Sequence, residues 1–147
     1  MAAPTTAKFG KMRILIGDGG SPEIFAAPCG LTTKSLTISK NLSEVTIPDC
    51  DDPDAAYWLA RDVTNMTASI SGEGVLAAES EADWNSAAFA TESINVRFEI
   101  EFSTGTRSYV GAFHIDSFSP TGSNGERVTA SISMQSDGIV TTAWTPA

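Results

Sequence analysis

The chain has 147 residues, with 18 acidic and 9 basic side chains and a formal charge of -9. A chain of this length forms one domain that buries roughly two thirds of its unfolded surface without disulfide or metal support. The charge excludes non-specific attraction to nucleic acid or to an anionic membrane, and Cys29 and Cys50 fit neither a metal spacing nor a disulfide framework.

Residues 1–10 are small, polar and Pro-containing, which predicts a flexible arm ahead of a single domain over 11–147. No apolar h-region opens the chain and no run approaches a membrane span, so synthesis in the cytoplasm and no membrane contact are expected. Met12 to Gly17 reads as a first strand, stopped by the turn chemistry of Asp18-Gly-Gly-Ser-Pro22. That cluster lacks the Lys-Ser/Thr of a phosphate loop. Residues 23–27 form a second short strand and residues 31–39 a longer one rich in β-branched residues, with 41–47 continuing it or pairing with it.

Residues 49–64 break the strand pattern and are expected to form a long acidic loop. Asp49, Asp51, Asp52 and Asp54 lack the spacing of a calcium loop. Asp52 before Pro53 makes an N-cap and first-turn pair, which predicts a short helix over 53–61. Tyr57, Trp58 and Leu59 are either a surface kept for a partner or a cluster folded back onto its own sheet.

The stretch from Met66 to Phe102 organises the rest. From 66 to 76, apolar or small residues alternate with Thr67, Ser69, Ser71 and Glu73, a period of two with one buried face. Ser80 and Asp83 stand at capping-box spacing, and a helix over 80–91 follows with Trp84 on its apolar side. Ile94, Val96, Phe98, Ile100 and Phe102 then alternate with polar residues in a third segment. After a turn at 103–106, residues 107–118 return as a strand with Tyr109, Phe113 and Ile115 on one face and Ser108, His114 and Asp116 on the other. A turn at 120–125 leads to a last strand over 126–135, with Val128, Ala130, Ile132 and Met134 inward and Thr129, Ser131 and Ser133 outward. Gly138 ends that strand, and residues 139–144 form a tail that adds a short one.

No nucleophile, metal set or cofactor loop accompanies these elements, so no catalytic, cofactor-binding or metal site is expected. His114 reads as a surface or interface residue, and Glu99 with Glu101 as a solvated pair on one strand face.

The order of elements carries a resemblance. Thr-rich strands, an acidic loop with Trp58, the Ser69-Ile-Ser-Gly-Glu-Gly74 segment, an Asp83-Trp84 helix, the Gly111-Ala-Phe113 strand and the closing Ser131-Ile-Ser133 strand together resemble the major tail (tail tube) proteins of long flexible-tailed bacteriophages and of phage-derived gene transfer agents. The resemblance implies a mainly β fold, a β-sandwich with barrel-forming sheets, one flanking helix and a long acidic loop. It implies homo-hexameric rings stacked into a tube in the virion or particle tail, with tail terminator, baseplate and tape-measure proteins as partners and double-stranded DNA passing without specific binding. Strand faces of Ser and Thr suit a channel wall, and Thr67, Ser69, Ser71, Glu73, Thr129, Ser131 and Ser133 are the expected lumen residues. Six subunits giving about four strands each would close a barrel about 48 Å across, from ~4.8 Å strand spacing and ~40° tilt. The expected inter-ring contact joins Asp49, Asp51, Asp52, Asp54, Tyr57, Trp58 and Leu59 to a neighbour's Lys8, Lys11 and Arg13. A type VI secretion-like tube protein and a monomeric carbohydrate- or cell-surface-binding β-sandwich are the alternative readings.

Overall fold

The computed structural model describes residues 3–17, 19 and 22–147; Met1 and Ala2 of the expected arm, and Asp18, Gly20 and Ser21 of the expected turn, lie outside them. After a 3-10 turn at Phe9–Lys11 come β1 (Met12–Gly17), β2 (Phe25–Ala26), β3 (Leu31–Val45), β4 (Ala60–Val75), α1 (Ala78–Phe89), β5 (Ile94–Phe102), β6 (Gly105–Thr121) and β7 (Thr129–Pro146). The strands form one antiparallel sheet in the order β2-β1-β5-β6-β7-β4-β3. The fold is mainly β with a single α-helix among the described residues, as the alternating segments predict.

The chain divides into two compact units, one of Met1–Thr37 with Ala68–Ala147 and one of Ile38–Thr67. In the first unit, two irregularities in β6 and β7 turn one sheet into two layers. Between the pairs Gly111 with Val140 and Phe113 with Ser136, β7 carries the extra residues 137–139. Gly138 sits there with φ 89°, a conformation that costs glycine little. Asp116 is a second insertion, between the pairs Ile115 with Met134 and Ser117 with Ser133. On one side of these bulges β6 and β7 run with β5, β1 and β2; on the other they run with β4 and β3.

Both layers face one core. Ile14, Val96, Phe98 and Phe113 come from the first, Ala68, Ile70, Ile132 and Met134 from the second, and Trp84 of α1 fills the space with 2% of its surface exposed. The layers also meet at their outer strands, where Lys34 Nζ of β3 donates 2.7 Å to the Met12 carbonyl of β1 and lies 4.6 Å from the Phe9 ring centre. Burial lowers the Lys34 pKa, and the nearby Arg13 charge adds to the effect. Between β4 and the chain at 30–32 the backbones approach so closely that a Cβ on Gly74 would lie 2.3 Å from the Gly30 carbonyl oxygen.

Several expectations are corrected. The helix starts at Ala78, two residues before Ser80, and its N-cap is Ala77 without a side-chain bond. No capping box forms, because the buried Ser80 hydroxyl donates to the Cys29 carbonyl at 2.9 Å. Glu79 and Glu81 still place negative charge at the amino end of the helix. Of the two alternatives for residues 41–47, continuation is the one found, since β3 runs unbroken through Val45; the strand expected to end at Gly138 instead continues through its bulge to Pro146. Val128 does not join the core: it precedes β7, half exposed, with its carbonyl accepting from the Leu76 amide at 3.0 Å.

In the second unit, Asn41 Nδ2 donates 2.6 Å to Asn65 Oδ1, the Thr64 hydroxyl donates 2.9 Å to the Asn41 carbonyl, and Arg61 lies 3.9 Å from Glu44. Residues 53–61 are not helical. The Ala55 amide donates 3.0 Å to the Asp52 carbonyl in a turn, and β4 has begun at Ala60. A helix this short needs an apolar face packed on something, and this segment is exposed. Met66, expected inward, is also exposed.

Candidate functional site

Two surfaces are built by these strands, a hydroxyl-lined face in the first unit and an acidic, aromatic loop in the second. The face follows from register. Ser71 pairs with Ser133, Glu73 with Ser131 and Val75 with Thr129 across β4 and β7. Across β7 and β6, Ser133 pairs with Ser117, Ser131 with Ser119 and Thr129 with Thr121. One row of hydroxyls therefore crosses all three strands, and the next two carry hydroxyls on β7 and β6 with Glu73 and Val75 on β4, since residues opposite one another on paired strands share a face. Shallow hollows on this face add Thr32 and Thr33 of β3, whose backbone is tied to β4 where the Thr32 hydroxyl donates 3.2 Å to the Glu73 carbonyl. Glu73 is the only ionisable side chain lining those hollows among the described residues.

The structure thus brings Ser69, Ser71 and Glu73 beside Ser131, Ser133 and Thr129, although about 60 residues separate them along the chain. Ser69 stands opposite Gln135, which pairs in turn with His114. Thr67 belongs to the second unit, where it is exposed. Ser117, Ser119 and Thr121 were not anticipated. The bulge at Asp116 reverses the alternation of β6, so that Ile115 and Phe118 both pack on the core and the odd-numbered positions beyond it turn outward. The three-residue spacing from Ile115 to Phe118 is the sequence signal of that reversal. Around the bulges Gln135 Nε2 donates to Asp116 at 3.4 Å and His114 Nε2 lies 3.3 Å from Asp137.

The loop is held by one of its own carboxylates. Asp49 Oδ1 accepts from the Asp51 amide at 2.7 Å and from the Asp52 amide at 3.2 Å. Those two backbone donors hold the Asp49 carboxyl below the usual carboxylate range. Asp51, Asp52 and Asp54 are exposed, and beyond them Tyr57 is 46%, Trp58 97% and Leu59 39% exposed. Trp58 is thus almost wholly in solvent, while Tyr57 and Leu59 are partly covered.

The basic residues expected to receive the loop are placed differently. Arg13 forks between Glu99 at 3.1 Å and Glu101 at 3.0 Å, and those bonds hold its pKa above the usual arginine value. Lys11 lies 3.8 Å from Glu101, and Arg97 lies 3.7 Å from Glu99. Glu99 and Glu101 are therefore not a solvated pair but the acidic half of a network across β1 and β5, set by the pairing of Arg13 with Glu99. Lys8 is exposed.

A single antiparallel sheet with one helix is the fold of solved phage-like tail proteins. The chain resembles the tail of an empty gene transfer agent particle solved with C6 symmetry (22% identity, 94% of this chain and 99% of that one covered, TM-score 0.74). It also resembles a gene transfer agent virion protein (20% identity, 94% and 99% covered, TM-score 0.72) and the SPP1 tail tube (12% identity, 97% and 80% covered, TM-score 0.66). Its sequence matches the phage tail tube protein family over residues 6–142, and the chain belongs to that family. No curated protein matches it. It is a structural subunit of a phage-like tail tube, located in the tail of the particle. No helix among the described residues is long and apolar enough to cross a membrane.

Proposed function

We propose that the subunit assembles into hexameric rings, that the rings stack into a tube, and that the tube conducts double-stranded DNA during delivery. The observation that carries this reading is the hydroxyl face. Ser and Thr dominate where a solvent-facing sheet normally intersperses Lys and Glu. Hydroxyls present no charge to a passing phosphate backbone, and Glu73 with the net charge of -9 disfavours adhesion.

The layer that bears the face has two edges to close. β3 is the last strand of the sheet, and β6 beyond Phe113 has outrun β5, whose first paired residue is Ile94. Joining such layers edge to edge into a barrel removes edges that otherwise invite uncontrolled pairing. The C6 symmetry of the similar gene transfer agent tail supports six copies. The exposed loop carrying Trp58 makes the contact between stacked rings, with Lys8 among its receiving groups. The role is structural, without catalytic turnover, and the tube ends on terminator and baseplate proteins around a tape measure.

Glu73→Lys tests the conduit. The variant should form tubes of normal appearance while particles built from it deliver DNA more slowly, scored as gene transfer per particle. Unchanged delivery with Glu73→Lys, Ser71→Lys and Ser131→Lys would contradict the assignment of this face to the lumen.

A further inference from the structure

The hollow between α1 and the end of β6 has no occupant among the described residues, and its chemistry differs from that of the hydroxyl face. Ala88, Phe89, Ile115, Phe118 and Pro120 form its apolar floor, and Asn85, Asp116 and Ser117 its polar rim. Phe89, the last residue of the helix, is 82% exposed. Ile115 and Phe118 lie on the core side of β6 and Ser117 on the hydroxyl face, so the hollow sits at the edge of β6, beside the stretch that has no second strand partner among the described residues.

β3 has the complementary pattern. Thr33, Ser35, Thr37 and Ser39 alternate with Lys34, Leu36 and Ile38. Thr33 lines the hydroxyl face, and Lys34 and Leu36 point to the apolar side, where Lys34 reaches the Met12 carbonyl and Leu36 packs on the core. Ile38, next on the apolar side, is 50% exposed. If β3 of a second copy pairs with β6, both faces continue without a break: hydroxyls extend hydroxyls, and Ile38 of the added strand meets the hollow beneath Phe89. The directions agree as well, because strands alternate through this layer and an incoming β3 would lie antiparallel to β6. Pro120, which has no amide hydrogen to give, suits a strand that is an edge in the lone subunit.

We infer that the α1–β6 hollow is the receptor for β3 of an adjacent copy of this chain, with Phe89 packing over Ile38 of the incoming strand as the apolar anchor of the seam within a ring. The inference rests on the tube reading and deepens it. An anchor of this type gives Phe89→Asp a critical concentration for assembly raised on the order of thirtyfold. Its circular dichroism spectrum stays that of the wild type, because the side chain is exposed in the lone subunit.

A cross-link fixes the location. In a background of Cys29→Ser and Cys50→Ser, the pair Ile38→Cys with Phe89→Cys should, on oxidation of assembled protein, give a ladder of covalent multimers in non-reducing electrophoresis, while each single variant stays monomeric. Tubes that form but give no ladder, or Phe89→Asp assembling at the wild-type concentration, would overturn this seam and leave the tube reading standing. Wild-type protein that forms no rings or tubes at any concentration would overturn both.

Discussion

The two compact units of this chain are stabilised in opposite ways. The unit of Met1–Thr37 with Ala68–Ala147 holds every buried residue of the core, from Ile14 through Trp84 to Met134. The unit Ile38–Thr67 holds none among the described residues, yet Ile38, Leu42, Ile47, Tyr57, Trp58, Leu59, Val63 and Met66 are all exposed there. Apolar surface concentrated in a region without a core of its own is the pattern expected of a surface that a partner covers, which is the stacking contact proposed above. In the proposed tube the second unit supplies the stacking contact while the first supplies the subunit's core, and substitutions of Trp84 and Trp58 should therefore fail in different ways.

The largest effect belongs to the core. Trp84→Ala empties the space between the two layers and should cost about 3–5 kcal/mol, a large share of the ~5–15 kcal/mol that holds a domain folded. Urea unfolding followed by circular dichroism should show the midpoint collapse. Assembly-competent protein with an unchanged midpoint would deny that Trp84 joins the layers.

Trp58→Ala should behave as the reverse case. With its side chain 97% exposed, the subunit's unfolding free energy should stay within about 0.5 kcal/mol of wild type. Stacking should fail, because a buried aromatic anchor contributes on the order of 2 kcal/mol per copy. Light scattering of concentrated protein reads that loss, and a variant that unfolds instead would put Trp58 in the subunit's own fold.

The smallest effect is a pH response of the loop. The Asp51 and Asp52 amides depress the folded-state pKa of Asp49, so the turn they form is supported above the usual carboxylate range and loses that support as pH falls through the depressed value. In an acid titration by NMR the amides of Asp51 and Asp52 should move together with the Asp49 carboxyl. Amide shifts indifferent to that titration would remove Asp49 from the turn.

Much of the subunit was legible because strand alternation is a local signal. Ile94–Phe102 reads as a strand from its period alone, and the Ser and Thr rows of 69–73 and 129–133 read as one kind of face before their pairing is known. What the sequence hides is set by distant partners. Ser80 looks like a helix cap until the Cys29 carbonyl takes its hydroxyl, and Glu99 looks solvated until β1 brings Arg13 opposite. The bulge at Asp116 hides Ser117, Ser119 and Thr121, because one inserted residue exchanges the two faces of everything after it. Asp52-Pro53 carries a real capping signal, but it ends in a turn for want of a surface to pack on.

The central claim is that this chain is a self-assembling tube subunit, and electron microscopy of the purified wild-type protein across a concentration series tests it most directly. Rings of six that stack into hollow tubes, with rings accumulating when Trp58 is replaced by Ala, are the predicted result; a strict monomer at every concentration would contradict it.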